Sequence, residues 1–158
     1  MTIILVLAGI YWDKRKAKQQ AEHYADEDQL VEALCKTLVQ YKPYEKINKE
    51  QELKHALLGF LQATFPDKQI QREVRLASGE FLDLQVEDIG IELKLAYDHT
   101  TLRNLIGQAS FYLNKVRRLI VFIYVFRDLD KSEEYIEQLK RMGCKVIICD
   151  YRNGSELK

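Results

Sequence analysis

Residues 119–126 read LIVFIYVF, an unbroken apolar run about as long as one β-strand. A strand with no polar side chain has no face to offer water, so it must be covered on both sides. The chain must therefore build layers, with helices above and below a sheet. The sequence just downstream supplies part of them. Asp130 with Glu133 makes a helix-capping signature, Gly143 ends that helix, and residues 145–149 form a further short apolar strand. Strand, helix, strand predicts a right-handed crossover to a parallel neighbour. At 158 residues there is material for one sizeable core and not for two.

Upstream, Leu30, Val31, Leu34, Leu38 and Tyr41 recur at helical spacing until Pro43 closes the segment. A second helix is expected from Asn48, capped by that side chain with Gln51 three residues on. It carries Leu53, Leu57 and Leu61 on one face and stops at Pro66. The period then changes. Ile70, Val74 and Leu76, then residues 81–86, then 89–95 read as three strands, separated by Ser78-Gly79 and by residues 87–90. Asp98, Thr100 or Thr101 can cap a helix running to about Asn114, with Leu102, Leu105, Ile106, Ala109 and Leu113 as its buried stripe. The predicted order is helix, helix, three strands, helix, strand, helix, strand, with a polar tail from Tyr151.

The first 12 residues, MTIILVLAGIYW, are almost wholly apolar. As a helix they would span about 18 Å against a hydrocarbon core of about 30 Å, too short to cross a membrane alone. Lys14, Arg15, Lys16 and Lys18 follow the apolar run, whereas a secretory signal carries its charge before it. Two readings remain: a membrane attachment held on the cytoplasmic face by the basic flank, or a segment buried in the protein or in a contact between subunits. The domain organisation is then an apolar segment and charged connector over residues 1–28 and one domain over 29–158. The 24 basic and 24 acidic residues cancel, so no uniformly basic coat exists, and a polyanion site would need local segregation of charge. Cys35, Cys144 and Cys149 make no CxxC and have no matching histidine cluster. That argues against a disulfide framework or zinc site and for a reducing, cytoplasmic compartment.

Charged chemistry concentrates on the second and third strands. Glu92 and Lys94 are two apart and so emerge on one face. A Glu87-Asp88 loop puts Asp83 directly opposite Glu92; an Asp88-Ile89 loop puts it opposite Lys94 and diagonal to Glu92. Two carboxylates so close repel unless Lys94 or a hard divalent cation lies between them. Alternating charges on a hairpin commonly mark a solvated face, but here Ile89, Ile91, Leu93 and Leu95 already supply the core side. The face with Gly90, Glu92 and Lys94 is then either wet or functional.

Asp83, eight intervening residues, Glu92-Leu93-Lys94 and a downstream Gln108-x-x-x-Tyr112 resemble the PD-(D/E)XK nuclease superfamily over about residues 48–126. Leu82 stands where the motif has proline, a residue that many members lack. The resemblance implies an α/β fold with a restriction-endonuclease-like core, α-β-β-β-α-β, extended by N-terminal helices and a C-terminal α-β addition. It also implies a site. Asp83, Glu92 and the Leu93 carbonyl would hold Mg²⁺ or Mn²⁺, and Lys94 would assist attack by water. Gln108 would lie over Lys94 or the scissile phosphate, with Tyr112 packed behind it. The early helix glutamate would be Glu50, which shares a face with Leu53 and Leu57 and is similar to the E-x-E-L start of archaeal Holliday junction resolvases; Glu52, about 200° round the helix, is the alternative.

Charge distribution fits a DNA partner, since Arg103, Lys115, Arg117, Arg118 and Arg127 fall in a stretch without acids. Such residues also serve to keep strand ends soluble. The resulting expectation is a metal-dependent deoxyribonuclease, with DNA and a second copy of the chain as candidate partners. The contrasting readings are a non-catalytic nucleic-acid-binding module and a membrane-attached interaction module on the same fold. Deleting residues 1–12 separates attachment from burial. If they attach the protein to a membrane, the shortened chain stays folded and becomes more soluble. If they are core, loss of several large apolar side chains at about 1.5–3 kcal/mol each lowers the melting temperature far below that of the full chain.

Overall fold

The computed structural model describes residues 2–96, 98–125 and 132–151, with the backbone alone at 2–15, 17, 20 and 21. Arg127, Asp130 and the tail beyond Tyr151 lie outside the described residues. The elements run α1 (Thr2–Gln40), α2 (Glu50–Thr64), β1 (Ile70–Arg75), β2 (Phe81–Val86), β3 (Ile89–Ala96), α3 (His99–Tyr112), β4 (Arg118–Val125), α4 (Ser132–Arg141) and β5 (Lys145–Asp150). Five strands form one sheet in the order β1-β2-β3-β4-β5. β1, β2 and β3 make an antiparallel meander, whereas β3, β4 and β5 are parallel.

The apolar run behaves as its composition requires. Leu119 to Tyr124 are all buried between two cores. On one face α1 and α2 bring Leu34, Leu38, Leu53, Leu57 and Leu61 onto Ile91, Leu93, Ile120 and Phe122. On the other, α3 and α4 bring Leu102, Leu105, Ala109 and Leu139 onto Val121 and Ile123. Alternate residues of β4 thus belong to alternate layers. α4 and β5 form the expected parallel addition, and Gly143, at φ +99°, turns the chain out of α4 with its N–H donated to the Lys140 carbonyl. Asp98 caps α3 by accepting from Thr101 N–H at 2.8 Å.

Two elements differ from expectation. α1 is one continuous helix through the boundary set between residues 28 and 29, and its second half is docked on the sheet by charge as well as by leucines. Glu27, only 6% exposed, lies against Arg117 at 3.4 Å, and Arg117 also stacks on Tyr24 at 3.7 Å. Asp28 receives two hydrogen bonds from Arg118, at 2.8 and 3.1 Å. The polar composition of this stretch hid a structural contact. α2 begins at Glu50 and not at Asn48; its cap position is Lys49, which offers no side-chain hydrogen bond, and Glu52 instead accepts the Asn48 N–H. Among the described residues no helix is long and apolar enough to cross a membrane.

Gly90 sits where β3 meets both the hairpin partner and the α3–β4 connection: a Cβ there would stand 2.9 Å from Leu82 and 3.2 Å from Val116. A larger residue there would have to push these side-chain ends aside.

Because Glu27 has Arg117 as its only ion-pair partner among the described residues, Arg117→Ala leaves a carboxylate buried without its counter-charge. The expected loss is roughly 1–3 kcal/mol in urea unfolding, below the fully buried case because the Arg117 side chain is 38% exposed.

Candidate active site

The β2–β3 loop is Glu87-Asp88, since Val86 pairs with Ile89, and this register sets Asp83 against Glu92. Glu87 takes φ +49°, and the strand end is pinned by Gln69 N–H on its carboxylate at 2.9 Å and by Gln85 on its carbonyl at 2.7 Å. The ladder then stops after Leu84–Ile91. Beyond it the Leu93 N–H is donated to Asp83 Oδ2 at 2.8 Å, so a side chain replaces the main-chain partner.

β2 also loses its alternation at this point: Leu84 and Val86 lie in one core, but Leu82, two residues on, lies in the other. On β1 the residue across from Asp83 is Glu73, held at φ +52°. The β1–β2 register resumes unshifted, Arg72 with Leu84 and Val74 with Leu82. A left-handed non-glycine residue costs about 1–2 kcal/mol, so the conformation of Glu73, opposite Asp83, is strain the surroundings must hold in place.

The parting of β2 and β3 opens a cavity of about 430 Å³. α2 supplies Glu50 and Lys54, β1 Glu73, β2 Phe81 and Asp83, β3 Glu92 and Lys94, and α3 Gln108 and Tyr112. The structure thus brings together Asp83, Glu92, Lys94, Gln108, Tyr112 and Glu50, whereas Glu52 faces Asn48. The solvated-face alternative does not hold: Asp83 and Glu92 are 6% and 2% exposed.

Charges in the cavity are paired across it. Lys54 Nζ lies 2.6 Å from Asp83 Oδ1, and Lys94 Nζ lies 3.2 Å from Glu50 and 3.9 Å from Glu92. Burial lowers the Lys54 pKa, but the hydrogen bond and charge of Asp83 outweigh it and leave that pKa raised. Glu92 is pushed up to about 9, by burial first and then by the charge of Asp83, with Lys94 opposing. Its Oε2 is buried and has no hydrogen-bond partner. The Tyr112 hydroxyl donates to the Phe81 carbonyl at 2.9 Å and is raised to about 12, chiefly by burial and then by the Glu92 and Asp83 charges.

Lys54, Glu73 and Phe81 are the residues the sequence reading missed. Lys54 had a signal, because it stands four residues after Glu50 and so shares its helix face. Glu73, the residue across from Asp83, accepts from Gln51 at 3.5 Å. Phe81, 55% exposed, leaves an aromatic edge at the cavity mouth.

The basic residues divide. Arg117 and Arg118 are engaged with α1 as described, while Arg103 and Lys115 are exposed and stand outside the ion pairs of the described residues. Lys115 and Arg117 line a separate cleft of about 340 Å³ with Gln85 and Asp88, toward the turn of the hairpin.

The sequence matches no family model and no curated protein. Among solved structures, SfsA of Pyrococcus furiosus in complex with Ca²⁺ is similar at a TM-score of 0.38 and 15% identity, over 63% of this chain and 57% of that one. That is a distant likeness, and it fixes neither chemistry nor ligand.

No three His, Cys, Asp or Glu side chains among the described residues are grouped to hold a metal by themselves. The donors available are the carboxylates of Asp83 and Glu92, with the buried and unpartnered Glu92 Oε2 suited to a cation. A hard ion that keeps several waters needs no more than one or two carboxylates.

The raised Glu92 pKa has a stability consequence in protein kept free of divalent ions. The folded state holds a proton that the unfolded chain releases near 4.5, so this stabilisation is complete below about 4.5 and declines as pH rises toward and through about 9. The melting temperature in EDTA should fall across that window, and Glu92→Gln should flatten the fall. A wild-type melting temperature independent of pH over the same range would contradict the assignment.

Proposed function

We propose that this chain is a divalent-metal-dependent nuclease that hydrolyses DNA phosphodiester bonds. One observation carries the reading: two buried carboxylates, Asp83 and Glu92, meet at the break between β2 and β3 beside Lys94, with Glu92 Oε2 left without a partner. Burying two carboxyl groups side by side without a ligand that uses them is costly, and such carboxylates concentrate at functional sites.

In this reading Asp83, Glu92 and the Leu93 carbonyl hold Mg²⁺ or Mn²⁺. The bound ion supplies a polarised phosphoryl oxygen and an acidified water. Lys94, 14% exposed and paired with Glu50, would orient the attacking water and offset negative charge that grows on the phosphate. Glu50 holds the Lys94 ammonium at the cavity. Gln108, exposed on α3, offers an amide to the phosphate, and Tyr112 braces Phe81 through its main chain. Arg103 and Lys115 are the proposed phosphate contacts at longer range, since Arg117 and Arg118 are engaged elsewhere.

A second reading, a non-catalytic DNA-binding module, draws on one observation: Asp83 and Glu50 already have lysine partners, Lys54 and Lys94, without a metal. The two readings separate in one assay, with supercoiled, linear and branched DNA incubated with Mg²⁺, Mn²⁺ or EDTA. Cleavage that needs the ion supports the nuclease; binding without cleavage supports the module. Asp83→Ala and Glu92→Ala should abolish cleavage. Lys94→Ala should lower turnover by about 10²–10³-fold while keeping most metal affinity. Wild-type cleavage by either carboxylate variant overturns the assignment.

A further inference from the structure

We propose that Lys54 is the resident counter-cation of this site, holding Asp83 when no divalent ion is bound and giving up Asp83 Oδ1 to that ion when one enters. The inference deepens the nuclease reading and rests on it. Lys54 comes from α2, and its side chain is only 13% exposed, with Nζ 2.6 Å from Asp83 Oδ1. The other carboxylate oxygen is fixed by the Leu93 N–H at 2.8 Å. Oδ1 is therefore the atom at which a partner can change while the carboxylate itself stays in place. Lys94 does not compete for it, being paired with Glu50 at 3.2 Å.

The exchange is electrostatically sensible. An ammonium on a four-carbon stem is a compact charge that swings about several rotatable bonds, whereas Asp83 is held by the strand. A divalent ion brings twice the charge to Oδ1 and uses Glu92 as well, which the Lys54–Asp83 pair does not. Once displaced, Lys54 remains in a cavity lined by Glu50, Glu73, Phe81 and Gln108, one helical turn from Glu50. Substrate phosphate would enter this same cavity. Lys54 is thus a positioning residue: it presets Asp83 for the ion and then stands as a cation beside the phosphate.

Titration of Mn²⁺ into the full chain at mildly alkaline pH, read by calorimetry, tests this without any cleavage assay. Lys54→Met keeps the bulk of the stem and removes the charge. It should bind Mn²⁺ roughly tenfold or more tightly than wild type, the scale on which neighbours of metal ligands alter affinity. Without Mn²⁺ the variant should melt below wild type, and saturating Mn²⁺ should close that gap. A lysine that is only structural would lower the melting temperature and leave Mn²⁺ affinity unchanged or weaker, and either affinity result overturns the proposal. A measurement on wild type avoids dependence on a variant's folding: Mn²⁺ should increase acylation of the Lys54 amine, mapped by mass spectrometry, and unchanged or decreased labelling also overturns it. If wild type binds no Mn²⁺, the nuclease reading falls and this proposal with it. If wild type binds Mn²⁺ but Lys54→Met is no tighter, the proposal alone falls.

Discussion

The hydrogen bond from the Leu93 N–H to Asp83 Oδ2, at 2.8 Å, is the contact on which the site depends. Where β2 and β3 separate, the Leu93 amide is buried and loses its ladder partner, and a buried unpaired amide costs about 1–3 kcal/mol. Asp83 meets that need with its own side chain. The same bond aims the carboxylate into the gap. The separation of the strands therefore carries its own compensation. It is propagated one strand further, to Glu73 at φ +52°, without shifting the β1–β2 register.

Opening the sheet at this point lets both helical layers reach one cavity. In an intact sheet α2 and α3 would face opposite sides and share no ligand. Here Lys54 and Glu50 enter from one layer, and Gln108 and Tyr112 from the other. The opening falls at β3, where the antiparallel meander gives way to parallel strands. β3 is locked to β4 over eight residue pairs, Ile89–Arg118 through Ala96–Val125, so Glu92 and Lys94 stand on the rigid side of the gap. Asp83 stands on the strained side. Two carboxylates on elements with different constraints can be held close without either strand having to yield.

Much of this was legible from residue spacing. The shared face of Glu92 and Lys94 and the helical neighbours Gln108 and Tyr112 follow from fixed periodicities of 2 and 3.6, whereas the choice of Glu87-Asp88 over Asp88-Ile89 as the turn needed the register itself. Glu50 over Glu52 follows from the same arithmetic. What spacing could not reveal is any feature that breaks a period. Leu82 and Leu84 look like neighbours on one face of a strand and lie in different cores, because Asp83 turns the chain between them. Lys54 is one of 24 basic residues, and its only local mark, the spacing of four from Glu50, is one that a solvated ion pair on a helix flank shows as well. Residues 23–28 read as a connector because their contacts to Arg117 and Arg118 span about ninety positions of sequence. A polar stretch that packs through ion pairs has the composition of one that does not pack at all.

The charge inventory links these points. Glu50, Glu73, Asp83 and Glu92 meet only Lys54 and Lys94 in the cavity, so the carboxylates outnumber the ammoniums. Two unit charges about 5 Å apart at an effective dielectric near 20 interact by roughly 3 kcal/mol, enough to decide protonation. Of the central pair, Glu92 is the more deeply buried and has the longer cationic contact, and its pKa is pushed up toward keeping a proton, while Asp83 has the shortest contact. A cation entering the gap would meet one carboxylate that must lose a proton and one that must release a lysine. The proton would leave as the ion arrives while the displaced Lys54 stays in the cavity, so the net charge of the site would rise by about one rather than two. An apolar cavity could not do this, and a cavity of bare carboxylates would repel itself before the ion came.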